Sequence, residues 1–410
     1  MTPVRESLIR ILKRPATIVV LVLSLLLIAS VILVDVNIQA DFEGLYLLRG
    51  EEGKLIEVRD SLYLGEADRL LTRIETPRLH AFINRITPRS PGPHLSTVWN
   101  ARRGHGYIHA SRADGTELLI CLSRFRDSLG RIPKGLFVGG EMPSIFYGDT
   151  GVRLNETGMA YRRGGRWYHI WCNANEGIAA GADAKRMIYP SEWEYRGSRV
   201  VLDTANEVAI ESRHLTDIDA QPIAIDRLVY HRITDDYIIL VIRFRNEGSA
   251  PARFYYVYGD EPWLGNYGSS RGNVGWSPGA FHRYASTVDP ISTNVAGFVD
   301  IGNDLLPDER NATFSALANF MAWYGLLRPE LVYFSNKEGE VHAESEKIPL
   351  DSPQNRVIFA QWAPPDLMPG QTQSIILALG FITPERFTLP PAAPEVVIPW
   401  SLIKQAFPID

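Results

Sequence analysis

Cysteine is almost absent: the chain has two in 410 residues, too few for a disulfide-stapled scaffold or a thiolate metal centre. Neither HExxH, a CxxC pair, a P-loop nor a GxGxxG loop occurs. Zinc proteases and nucleotide enzymes of the usual kinds are thereby set aside. No sustained block of like charge exists and the net charge is −5, so there is no basic footprint for a nucleic-acid partner. The run Asp300-Ile-Gly-Asn-Asp304 bunches oxygen ligands but lacks the spacing of an EF-hand, and neither a metal nor a cofactor is expected.

Long apolar runs are also missing, with one exception. Arg5, Arg10, Lys13 and Arg14 precede an uncharged stretch from Pro15 to Val34, closed by Asp35. At roughly 1.5 Å per residue this stretch is long enough to cross a bilayer as a helix. Basic residues before it and Asp41, Glu43, Glu51 and Glu52 after it orient the remainder outward. The expected organisation is a cytoplasmic basic head over 1–14, a transmembrane signal anchor over 15–35, a tether with short helices over 36–95, and an exported domain over 96–410. A cleaved signal peptide is the competing reading, although its apolar region is usually shorter. In a bacterium the outer compartment would be the periplasm. For Cys121 and Cys172, both a disulfide closing a loop of about 50 residues and two separate buried thiols fit the sequence.

The exported part is organised around 236–263. Ile238, Leu240, Ile242 and Phe244 alternate onto one face of a strand; Tyr237, Ile239 and Val241 make the other face apolar before Arg243 and Arg245 turn it basic. A strand apolar on both faces belongs inside a sheet covered on both sides. Asn246-Glu-Gly-Ser-Ala-Pro251 then reads as a turn to a second strand, giving an expected β-hairpin with a longer loop. Further strands are expected at 116–124, 166–172, 198–203, 207–214, 223–233, 295–301, 331–335, 356–362 and 373–380. Weaker strand character occurs at 44–48 and 54–58, amphipathic helical spacing between Glu66 and Ile86, a buried helix is expected at 312–324, and a short one at 401–407. Many strands with short turns predict a mainly β fold, a large antiparallel β-sandwich with a few short helices.

This strand count and length, with Ile242-Arg-Phe-Arg-Asn-Glu-Gly248 leading into an aromatic, acidic loop, resembles the galactose-mutarotase-like carbohydrate-active β-sandwich superfamily. The resemblance covers most of the exported part and implies a supersandwich acting on or binding carbohydrate. The family's catalytic histidine and glutamate have no matched positions, so no residue role is carried over.

Two segments hold the candidate site. In 259–276, Trp263, Tyr267 and Trp276 offer flat faces and Asp260 and Glu261 offer acceptors among many glycines. Sugars are recognised in that way, by stacking on rings and by hydrogen bonds to carboxylates and amides. In 166–176, Trp167, His169 and Trp171 share a strand face, followed by Asn173, Asn175 and Glu176. Glycoside chemistry or epimerisation needs an acid and a base, for which Asp260 or Glu261 with His169, His282 or Asp300 is the expected set. The expectation is a membrane-anchored β-sandwich protein that binds a cell-envelope or exported carbohydrate and processes it if a second acid or base reaches the carboxylate. Its rival is a non-catalytic envelope scaffold whose aromatic loops hold a protein partner.

Overall fold

The computed structural model describes residues 44–49, 55–60, 93–100, 105–123, 137–138, 158–164, 166–171, 174–175, 193–260, 262, 264, 272–302, 314–335, 356–384 and 390–407. The anchor, the amphipathic stretch 66–86 and Cys172 lie outside these, and Cys121 is placed by its backbone alone. Among the described residues no helix is long and apolar enough to cross a membrane.

The elements form three antiparallel sheets. The first holds β1 (Gly44–Arg49), β2 (Leu55–Asp60), β3 (His94–Asn100), β4 (His105–Ser111), β5 (Glu117–Ser123), β6 (Phe137–Val138), β7 (Met159–Arg163) and β8 (Arg166–Trp171), in the order β2-β1-β3-β4-β5-β7-β8 with β6 on β5. The stretch expected as a tether thus supplies β1 and β2, and β1 pairs with β3. β9 (Ala174–Asn175) leaves this sheet.

The nine-stranded sheet holds β10 (Glu194–Asp203), β11 (Glu207–Ile218), β12 (Gln221–Arg232), β13 (Tyr237–Asn246), β15 (Asn273–Ser277), β16 (Ala280–His282), β18 (Val295–Asp300), β19 (Ala318–Tyr324) and β22 (Thr372–Ile382). Its order is β10-β11-β12-β13-β22-β19-β18-β15-β16. A five-stranded sheet, β17-β20-β21-β14-β9, adds β14 (Tyr256–Asp260), β17 (Ser286–Val288), β20 (Leu331–Ser335) and β21 (Val357–Trp362). One short helix, α1 (Trp400–Ala406), ends the described chain, close to its expected place at 401–407.

β13 sits centrally, between β12 and β22, and both its faces are covered. Ile238, Leu240, Ile242 and Phe244 enter a core shared by all three sheets, while Tyr237, Ile239 and Val241 enter a second core that includes Ile403 and Phe407 of the C-terminal segment. Each fully buried aliphatic side chain of this kind stabilises by about 1.5–3 kcal/mol relative to exposure. Where the outer face turns basic, Arg243 stands over the Phe407 ring and donates to Asp226, which Arg213 also pairs.

Two expectations are corrected. β13 and β14 are not a hairpin: they lie in different sheets, and 247–255 carries the chain across. Asn246 explains the departure, because its Nδ2 donates to Ala250 O at 2.8 Å and Leu367 O at 2.7 Å while Gly248 N donates to its Oδ1. Pro251, with no N–H, cannot extend the ladder. The helix expected over 312–324 is instead strand β19, paired with β18 and β22. Met321 and Trp323 fill the shared core, Phe320 and Ala322 the outer one, so the run is apolar throughout because the strand is buried on both faces.

Candidate functional site: the junction of three sheets

β8 ends in the first sheet at Trp171, and β9 begins at Ala174 in the five-stranded one. β9 pairs with the end of β14, with Gly259 opposite Asn175 and Asp260 opposite Ala174. From there the chain passes to β15 in the nine-stranded sheet. The two segments singled out by composition are therefore hydrogen-bonded neighbours, at the place where the chain links all three sheets.

The register also keeps some candidates apart. Ser286, Phe334, Ile358, Asp260 and Ala174 form one row across the five-stranded sheet. His282 hydrogen-bonds Ser286 Oγ at 3.0 Å and Ser277 Oγ at 2.9 Å and stacks on Phe334. Ser286 is three strand spacings from Asp260, roughly 14 Å along the sheet. His282 is held by those two hydroxyls, and burial lowers its pKa.

Polar groups at the junction are mostly committed to holding the sheets together. Asn319 of β19 accepts from Phe298 N at 2.7 Å and donates to Ile170 O of β8 at 3.0 Å. Trp171 is buried and donates to Gly380 O at 3.1 Å. Trp276 is fully buried, donating to Phe298 O and Asn319 O. These two tryptophans are core residues, which corrects the expectation that they face a ligand. Asp300 is buried, and its Oδ2 accepts from Ser315 N at 2.9 Å and Ser315 Oγ at 2.5 Å, a structural use of the carboxylate. Burial lowers the His169 pKa to about 4, so the ring is neutral at pH 7 and a weak proton acceptor.

Asn273, at the start of β15, was not singled out by sequence. Its Nδ2 donates to Pro262 O at 2.9 Å, and its backbone carbonyl accepts from the buried Arg356 at 2.6 Å. Its Oδ1 is buried and has no hydrogen-bond donor among the described residues. An acceptor in that state costs about 1–3 kcal/mol unless water or a ligand donates to it. A polar residue directly preceding an apolar strand was the one available signal. The glycines here serve packing: a Cβ on Gly259 would collide with Phe359, and one on Gly272, whose φ is +78°, with Phe314.

Glu261, Trp263, Tyr267, Asn173 and Glu176 lie outside the described residues. Asp260, Trp167 and Asn175 are placed by backbone alone, on β14, β8 and β9. Among the described residues no group of three or more His, Cys, Asp and Glu could hold a metal ion.

No family model and no curated protein matches the chain. Among solved structures it is similar to a galactose mutarotase-like protein from Clostridium acetobutylicum, at 10% identity over 70% of this chain and 96% of that one, TM-score 0.31. A galactose mutarotase-like protein from Lactobacillus casei ATCC 334 is similar at 8% identity over 70% of this chain and 97% of that one, TM-score 0.32. The heparan sulfate lyase HepC from Pedobacter heparinus is similar at 10% identity over 81% of this chain and 42% of that one, TM-score 0.36. All three likenesses are at low identity and low TM-score.

Proposed function

We propose that this chain is a carbohydrate-binding β-sandwich protein, held outward at a membrane by residues 15–35, with its ligand at the three-sheet junction. The pairing of β9 with β14 carries the reading, because it joins the two segments richest in sugar-recognising side chains. Trp263, Tyr267 and Trp167 supply stacking faces; Asp260 or Glu261, with Asn173, Asn175 and Glu176, supply acceptors and donors for hydroxyls. Asn273 Oδ1 is a further acceptor for a ligand hydroxyl or a bridging water. Acid–base processing would require a second group within roughly 5–10 Å of the carboxylate. Asp300 is engaged by Ser315 and burial makes His169 a weak base, so binding is the step this reading rests on, with processing dependent on a second acid or base.

The test is a glycan array probed with the full-length chain in detergent, alongside Trp263→Ala and Glu261→Gln. Loss of one stacking ring or one acceptor should weaken the best ligand about tenfold, as for other buried polar or aromatic contacts. A parent protein that binds no glycan overturns the reading.

A further inference from the structure

A cavity of about 390 Å³ opens beside the β12–β13 turn, between that turn and the C-terminal segment. None of the side chains assigned above to the saccharide lines it. The volume falls in the range of small-molecule sites, about 300–1,000 Å³. Phe320 and Phe381 form an apolar floor, and Tyr237 ties the far wall in place by accepting a hydrogen bond from Val397 N at 3.0 Å.

The charged lining is unevenly matched. Asp235 accepts from Arg232 Nε at 3.0 Å and Nη2 at 2.8 Å. Asp236 accepts from Arg112 at 2.6 Å, which reaches the turn from the β4–β5 connection. Glu395 is exposed on the wall, and among the described residues no hydrogen bond or ion pair engages its carboxylate. Among the described residues the lining thus holds three carboxylates and one guanidinium; Arg232 pairs with Asp235, Arg112 outside the lining pairs with Asp236, and Glu395 carries the surplus negative charge.

We propose that this cavity is a second binding site, for a monosaccharide-sized molecule carrying a protonated amine, with the ammonium at Glu395 and the body over the phenylalanine floor. Arg232 and Asp235, already paired, orient hydroxyls, while an acidic ligand is repelled by the surplus carboxylate.

Calorimetric titration of the full-length chain in detergent with glucosamine, glucose and glucuronate tests this, since the three probes differ mainly in charge. Glucosamine should bind roughly fivefold more tightly than glucose, the scale of one exposed ion pair, and glucuronate not measurably. Glu395→Gln should erase the preference for the amine. Ala393→Trp, at an exposed wall position, should block the cavity without touching a charge. Glucosamine binding no tighter than glucose, or a preference that survives Glu395→Gln, overturns the proposal. Trp263→Ala separates the two sites: if it abolishes glucosamine binding, the amine sits at the three-sheet junction and the cavity proposal falls while the saccharide reading stands.

Discussion

The turn between β12 and β13 and the start of β15 both stand at sheet ends and both carry polar side chains, yet they are finished differently. At the turn, Arg112 donates to Ile233 O, Asp235 O and Asp236, and Arg232 grips Asp235, so the fold satisfies its own polar groups. At β15, Asn273 spends one end of its amide on Pro262 and keeps the other, a buried acceptor, open. The first arrangement locks structure. The second leaves an acceptor that the proposed ligand would use.

That contrast can be broken first at the turn. Arg112→Ala should destabilise by about 3–5 kcal/mol, because it leaves a nearly buried carboxylate and two carbonyls without their donor. Urea unfolding of parent and variant measures this; a loss under about 1 kcal/mol would show that the turn is held by something else.

Acid sharpens the comparison, since each region has a buried histidine nearby. His231 precedes Arg232 and has its pKa lowered by burial to about 4, as does His169 on β8. An ordinary imidazole titrates near 6.5, so below that pH the unfolded chain takes up protons that the folded chain refuses. Each histidine's contribution is therefore intact above about pH 6.5 and is lost as pH falls toward 4, by up to about 3 kcal/mol apiece. Unfolding midpoints from pH 7.5 to 4.5 should decline accordingly, and His231→Asn should flatten part of the slope. A slope unchanged in that variant would remove His231 from the account.

The smallest stability effect belongs to the open acceptor. Asn273→Ala should cost only about 1–3 kcal/mol, from the donor lost to Pro262 O, yet weaken the junction's best glycan about tenfold. Full glycan affinity in that variant would mean the acceptor serves no ligand.

Much of the β architecture was legible because burial writes itself into alternation. The double-faced apolar pattern of β13 announced a central strand, and both cores are there. Where alternation vanished, the sequence misled: the run containing Ala318–Tyr324 is apolar at every position, which suits a buried helix or a doubly covered strand alike. The strands expected at 207–214 and 223–233 are longer than the sequence suggested, because Asp219 and Ala220, at φ 51° and 61°, make the whole turn with no glycine or asparagine to mark it. In the site, rings and acids could be read from composition, but which rings face a ligand could not. Trp171 and Trp276 look in sequence like Trp263, and burial makes the first two core residues.

Side-chain chemistry and local periodicity, then, determined on their own the all-sheet character, the central strand and the apolar N-terminal stretch. Which sheet each strand joins was decided only in three dimensions, because pairing depends on partners far along the chain. That is why β13 and β14 parted company across one turn, and why β9 and β14, some 80 residues apart in sequence, came to lie side by side.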